Sequence, residues 1–317
     1  MLSGKTRFPD LDPALRRSRL ELAKPGVLPA VLDTDTFNEI DDQFALCYLM
    51  LSPGRFEPRA VTAAPFFNSR STSPADGMAK SYDEILRVLE LLHEKRGEFV
   101  WRGSETYLPD RDTPVESAAA RRIVELARQA AGRGEVLYVL AIGAITNVAS
   151  ALLMDPAIIG SIVIVWLGGH AYNHPSNREF NLYQDVPAAQ VVFDSGVPLV
   201  HVPCCGGAAE QLGIRLPELE EQCAVSGPIG RFLYERTRDY IHGDRETVKV
   251  IWDIATVACF DIPDAVTSEV IEAPRLADDS RWEFPGGRHE IRVIHAFDRD
   301  RVFRDLFDRI AAFAARR

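Results

Sequence analysis

The segment 33-DTDTFNEIDD-42 carries four aspartates and a glutamate in ten residues. Carboxylates this crowded repel one another at short range. That repulsion exceeds the ~0.3–1 kcal/mol a helix N-terminus returns for an acid in its first turn. Asp41 and Asp42 can be first-turn acids, with Asn38 as helix cap and Ile40, Phe44, Cys47 and Tyr48 on the buried face. Asp33 and Asp35 precede that helix and stay unexplained. A bound cation resolves the crowding. An all-oxygen donor set on a loop selects a hard ion, calcium or magnesium, and calcium is favoured if Asp42 binds through both oxygens. The spacing is not that of an EF-hand, because no glycine follows the third aspartate and no glutamate closes the loop.

The elements that must position these acids follow from the apolar pattern. Strands are expected at 28–32, 59–64, 136–141, 161–167 and 198–203, and helices at about 41–51, 75–94, 117–133, 145–154 and 186–194. Continuously apolar strands alternating with helices predict an α/β fold, a single open, mostly parallel sheet flanked by helices with right-handed crossovers. Ligands of such sheets bind beyond the carboxyl ends of the strands. The polar residues expected there are Asp33 and Asp35, Asn68, Gly143 to Asn147, Gly168 to Asn181, and Asp253 after the run 247-TVKVIWD-253. Acids and amides from five places thus converge on one rim. Residues 1–26 read as a surface-lying lead segment rich in Arg and Pro, and 27–317 as one domain. The 296–317 segment reads as an amphipathic helix packing Val302, Phe303, Leu306, Phe307 and Ile310 on that domain.

Composition narrows the partners. The chain has 317 residues and a net charge of −10, which disfavours nucleic acid and anionic membranes. No apolar stretch approaches the span of a bilayer or the core of a secretory signal, so a cytoplasmic protein is expected. The five cysteines form no CxxC pair. Cys47 and Cys259 read as small core residues, and Cys204-Cys205 beside Gly206-Gly207 as tight packing rather than a redox or metal site.

Two families share parts of this pattern. Asp33 and Asp35 overlap the DxDxT opening of haloacid-dehalogenase-like phosphatases, but that family brings its paired metal acids much later, after a separate lysine. The chain more fully resembles the inosine-uridine nucleoside hydrolases, which open with a strand and DxDxxxDDxxAL. Here Asp33-Thr34-Asp35 is followed by Asp41-Asp42-Gln43-Phe44-Ala45-Leu46. Asn68 in 65-PFFNSRS-71, 143-GAITNVASALLMDP-156, 167-LGGH-170, 179-EFNLYQDVPAA-189 and 252-WD-253 continue the likeness in order, over residues 28 to 260.

The resemblance implies a calcium-dependent N-ribosyl hydrolase, and it implies a homo-oligomer. Asp35, Asp42, Asp253 and the Ile142 carbonyl would hold calcium, with Asp35 also the general base for its water. Asp41, Asn68, Glu179 and Asn181 would hold the sugar hydroxyls, and Asp33 would support the cluster from behind. Two departures stand out. The Asp35–Asp41 gap is two residues longer than the family's and carries Asn38 and Glu39, which either enter the sugar pocket or bulge outward. Trp252 stands where many members place a proton-donating histidine, as in a purine-leaning branch where an aromatic stacks on the base. His170 and His174, in 170-HAYNHPSNR-178, are candidate substitutes for that acid. The family's histidine-containing segment after the third strand is replaced by 109-PDRDTPVESAAARRI-123. Two rival readings keep the pocket: hydrolysis of another small glycoside, and calcium-dependent sugar binding without catalysis.

Overall fold

The structure, a computed structural model, describes residues 8–316. Eight strands form the central sheet: β1 (Leu28–Thr34), β2 (Phe56–Ala63), β3 (Val100–Arg102), β4 (Leu137–Ala141), β5 (Ile162–Leu167), β6 (Leu199–Val202), β7 (Val266–Glu272) and β8 (Glu290–Phe297). Their order is β3-β2-β1-β4-β5-β6-β8-β7. All neighbours are parallel except β8 and β7. The five strands expected from the sequence are β1, β2, β4, β5 and β6.

The inner strands are continuously apolar because both faces are covered. Side chains alternate across the sheet: Leu32 and Leu140 join one core with Phe44, Tyr48 and Phe260, while Val31 and Val139 join the other with Ile123, Val148 and Phe193. Helices start where short polar residues can cap them. Ser73, Ser117, Asp185 and Asp298 each accept a first-turn N–H, for the helices Pro74–Leu91, Ala118–Gly132, Val186–Asp194 and Arg299–Ala315. The C-terminal helix buries Val302, Phe303, Leu306, Phe307 and Ile310 as expected. Its start differs: Ala296 and Phe297 still belong to β8.

The lead segment also differs from its reading. Residues 1–7 lie outside the described residues. Pro13–Arg19 is a short helix, and the turn after it buries Leu20 completely and Leu22 almost so. Arg16 reaches the Gly196 carbonyl at 3.1 Å. Two leucines outweigh the surrounding charge, because their burial removes apolar surface from water. Among the described residues, no helix is long and apolar enough to cross a membrane.

The connections reverse direction on the two sides of the β1–β4 pair. From β1 the chain proceeds outward to β2 and β3, then returns to β4 and continues to β5 and β6. The loops after β1 and β4 therefore diverge, and the crevice between them is the place such sheets offer a ligand.

Candidate active site

Asp33 is the last residue but one of β1, paired with Thr62 on one side and Ala141 on the other. Its Oδ1 accepts from Thr62 Oγ1 at 2.6 Å and from Asn147 Nδ2 at 2.8 Å. It is fully buried and ties β1 to β2 and to the helix Thr146–Met154. Asp35 follows, and the Asn38 N–H bonds back to its carbonyl at 2.7 Å. Its carboxyl lies against Gly143, where an added Cβ would stand 3.2 Å from Oδ1. A side chain there would crowd that acid and make its neighbours give by a few tenths of an ångström. Asp41 and Asp42 open the Asp41–Met50 helix, and Asp253 precedes the Ile254–Asp261 helix.

One carboxylate oxygen each from Asp41, Asp42 and Asp253 lies within 4.8 Å of the others, and all three residues are buried. Asp35 stands outside that triplet. Its Oδ2 is buried without a hydrogen-bond partner, as is Asp41 Oδ1. Thr34 Oγ1 donates to Asp42, whose carboxyl stands against that of Asp253 within the same cluster. Burial pushes Asp42 up to about 7, with Asp41's charge adding to the effect. Burial likewise holds Asp33 at about 6. Asp41 reaches about 6 by burial, although Lys249 opposes the rise. Asp35 and Asp253 are raised well above the carboxylate range by burial and then by their acidic neighbours. Crowded buried carboxyls whose pKa values are raised, one of them with an oxygen that has no hydrogen-bond partner, suit a hard divalent cation, which would displace their protons and pair that atom.

A cavity of about 200 Å³ opens on these acids. Asp35, Asn38, Glu39, Asp41, Asp42, Ile142, Glu179, Asn181, Trp252, Asp253 and His170 all line it. The longer loop thus turns inward rather than bulging out. Asn38 does not cap the helix; Ile40 occupies that position without a side-chain bond, and Asn38 Oδ1 instead accepts from Asn68 Nδ2 at 2.6 Å. Asn68 sits one residue behind the wall and acts on the cavity through Asn38.

Glu179 is a helix cap before it is anything else. Its carboxylate accepts the N–H groups of Gly169, Asn181 and Leu182 at 2.7 to 2.9 Å. Gly169 has a φ of +74°, which glycine adopts freely and which aims that N–H at the acid. Asn181 Nδ2 bridges the Ile142 and Leu167 carbonyls at 3.2 and 3.1 Å, joining the ends of β4 and β5. The Trp252 backbone N–H donates to Asp41 Oδ2 at 3.1 Å, and the half-buried residue both lines the cavity and packs against the core.

His170 and His174 separate. Their rings are 4.4 Å apart, but His174 faces an outer cavity instead. Burial lowers the pKa of His170, and His174 lowers it further.

Other residues in or beside the cavity were given no site role from the sequence. Cys204 and Cys205 line it, beyond the packing role expected of them. So do Phe180 and Arg178. Lys249 is only 7% exposed and pairs with Glu39 and, at 3.7 Å, with Asp41 Oδ1. Burial alone would lower its pKa, but Asp41 and Glu39 more than offset that and keep it charged. A lysine inside the run 247-TVKVIWD-253, four residues before Asp253, was the available signal.

Fold and site together define an α/β protein with a carboxylate-lined crevice at the switch point of a parallel sheet. The profile of the inosine-uridine preferring nucleoside hydrolases matches residues 30–304, and the chain belongs to that family. It is 31% identical over 135 residues to probable uridine nucleosidase 2 of Arabidopsis thaliana, covering 40% of this chain and 39% of that one. It is 47% identical over 62 residues to the pyrimidine-specific ribonucleoside hydrolase RihB of Escherichia coli O1:K1, 19% of this chain and 20% of the other. These matches thus span well under half of either relative. The fold is also that of the purine-preferring ribonucleoside hydrolase from Gardnerella vaginalis, with a TM-score of 0.71, 20% identity, and coverage of 91% of this chain and all of that one.

Proposed function

We propose that this chain hydrolyses the N-glycosidic bond of a nucleoside or related ribosyl compound, with calcium as its metal and a leaning toward purines. The observation that carries the reading is the buried Asp41, Asp42 and Asp253 triplet, which lines one cavity together with Asp35, whose Oδ2 has no hydrogen-bond partner. Asp35, Asp42, Asp253 and the Ile142 carbonyl would hold the ion. When bound, calcium supplies positive charge that grips sugar hydroxyls and makes water more acidic.

The chain's own groups do the rest. Asp35 accepts the proton of the attacking water, in the role of a general base. Asp41, Asn38 and Asn181 orient the sugar, and Asn68 holds Asn38. Acids around the ring stabilise the positive charge that an oxocarbenium-like transition state develops. Trp252 offers a face for the base. Its ring is a better reason for a purine leaning than for a proton donor, since an indole has no acid to give. We further read the chain as a cytoplasmic homo-oligomer, on the family resemblance and the acidic charge; light scattering tests the assembly.

The test is release of reducing sugar from purine and pyrimidine nucleosides, with calcium and with chelator, against Asp35→Asn. Calcium-dependent release that the variant abolishes supports the hydrolase. Equal calcium-dependent sugar binding by wild type and variant, with no release by either, favours the sugar-binding protein instead.

A further inference from the structure

Arg178 is the cavity's misfit. Six carboxylates line the crevice, Asp35, Glu39, Asp41, Asp42, Glu179 and Asp253, and the lining holds this one guanidinium among them. Among the described residues Arg178 forms no ion pair. Its guanidinium lies 4.7 Å from the centre of the Tyr183 ring and is otherwise exposed. Arg281, by contrast, is paired with Asp279 at 2.6 Å.

Its position has a second property. Arg178 lines both the inner cavity and an outer one of about 570 Å³, so it stands at their junction. Beyond it the outer cavity presents Ser176, Asn177 and Ser280 among the aromatic rings of Tyr172, Tyr183 and Trp282. This outer chamber is polar and roomy, and its one lining acid, Asp279, is already taken by Arg281.

A ribosyl substrate has three ends to place. On the reading above, sugar hydroxyls lie against the acid cluster and the base lies at Trp252. The remaining end, the 5′ carbon, has the rest of the same cavity's wall, which includes Arg178. A free nucleoside brings only a neutral hydroxyl there, which gives an exposed guanidinium no advantage over water. A phosphate does, because planar guanidinium N–H groups match phosphate oxygens two at a time. We propose that the substrate is a ribosyl compound phosphorylated at its 5′ carbon, a nucleotide rather than a free nucleoside, and that Arg178 is the residue that selects it. The reaction is unchanged: water adds across the bond between C1′ and the base nitrogen, releasing the base and ribose 5-phosphate. The phosphate itself is untouched. Groups beyond a first phosphate have the outer cavity to occupy.

This inference rests on the proposed hydrolase, and two measurements keep their failures apart. The first compares kcat/KM for inosine 5′-monophosphate and inosine on calcium-loaded wild type, Arg178→Met and Arg178→Lys. The expected result is a phosphate preference in the wild type that falls roughly 10- to 100-fold in Arg178→Met and recovers partly in Arg178→Lys. A preference for inosine in the wild type, or a ratio that Arg178→Met leaves alone, overturns the proposal. The second is calorimetric binding of ribose 5-phosphate, ribose and inorganic phosphate, which needs no turnover. Tighter binding of ribose 5-phosphate than of either other probe, lost in Arg178→Met, sustains the proposal even where no base is released and the hydrolase reading fails. Equal binding of ribose and ribose 5-phosphate overturns it. So does inorganic phosphate binding as well as ribose 5-phosphate, which would mark a site for the free anion.

Discussion

Replacing Lys249 by methionine should move two properties in opposite directions. The substitution keeps most of the apolar stem and removes the charge. Lys249 Nζ lies 3.7 Å from Asp41 Oδ1, and both side chains are buried. At an effective dielectric near 20 that separation is worth roughly 4–5 kcal/mol of gross attraction. Breaking one side of a buried pair typically costs about 3–5 kcal/mol, because the partner's charge is left uncompensated. For a chain of 317 residues, an unfolding entropy of ~2.1 cal/mol/K per residue turns this into a Tm lower by roughly 5–7 °C in the ion-free protein. Calcium should nevertheless bind several times more tightly, since the cluster loses a neighbouring positive charge. Thermal melts in chelator and calorimetric calcium titrations of wild type, Lys249→Met and Glu39→Gln read both effects. Glu39 is 37% exposed, so its variant should melt closer to wild type. Unchanged melting, or weaker calcium binding in Lys249→Met, would refute the argument that this lysine balances the acids.

Three further expectations concern the same cavity. Asp42 is held at about 7 in the ion-free protein by burial and Asp41, so its proton must leave when a cation arrives. Affinity is therefore full above pH 7 and falls below it. From Asp42 alone, calcium binding should weaken roughly 80-fold between pH 7.5 and pH 5, and a change under about threefold would sink the linkage. Trp252→Ala should raise KM for purine nucleosides by an amount equivalent to ~1–3 kcal/mol, and equal KM values for variant and wild type would remove the ring from base binding. Burial disfavours the protonated form of His170, so it should be a poor acid at neutral pH. His170→Ala should cost less than the ~100-fold that marks a general acid, and a larger fall in kcat would restore it to that role.

The sequence by itself determined the parallel sheet and the acid-bearing rim. Strands buried on both faces, such as 162-IVIVWL-167, are apolar at every position, so their extent and alternation with helices could be read locally. Asp33, Asp35, Asp41 and Asp42 announced themselves by a density of charge that no solvated loop needs, and Asp253 by standing at the end of an apolar run. The edge strands were less legible. Val100–Arg102 has three residues, and Val266–Glu272 mixes half-buried and exposed side chains on an antiparallel edge, so neither carries a strong apolar run. Only the tertiary structure decided which residues meet across chain distance. Lys249 reaches Glu39 across 210 positions, and Asn38 finds Asn68 instead of the helix it precedes. Nothing local encodes such pairs, because they depend on how two loops leave different strands. The same holds for Arg178, an ordinary arginine in a polar loop until the fold sets it alone between two cavities.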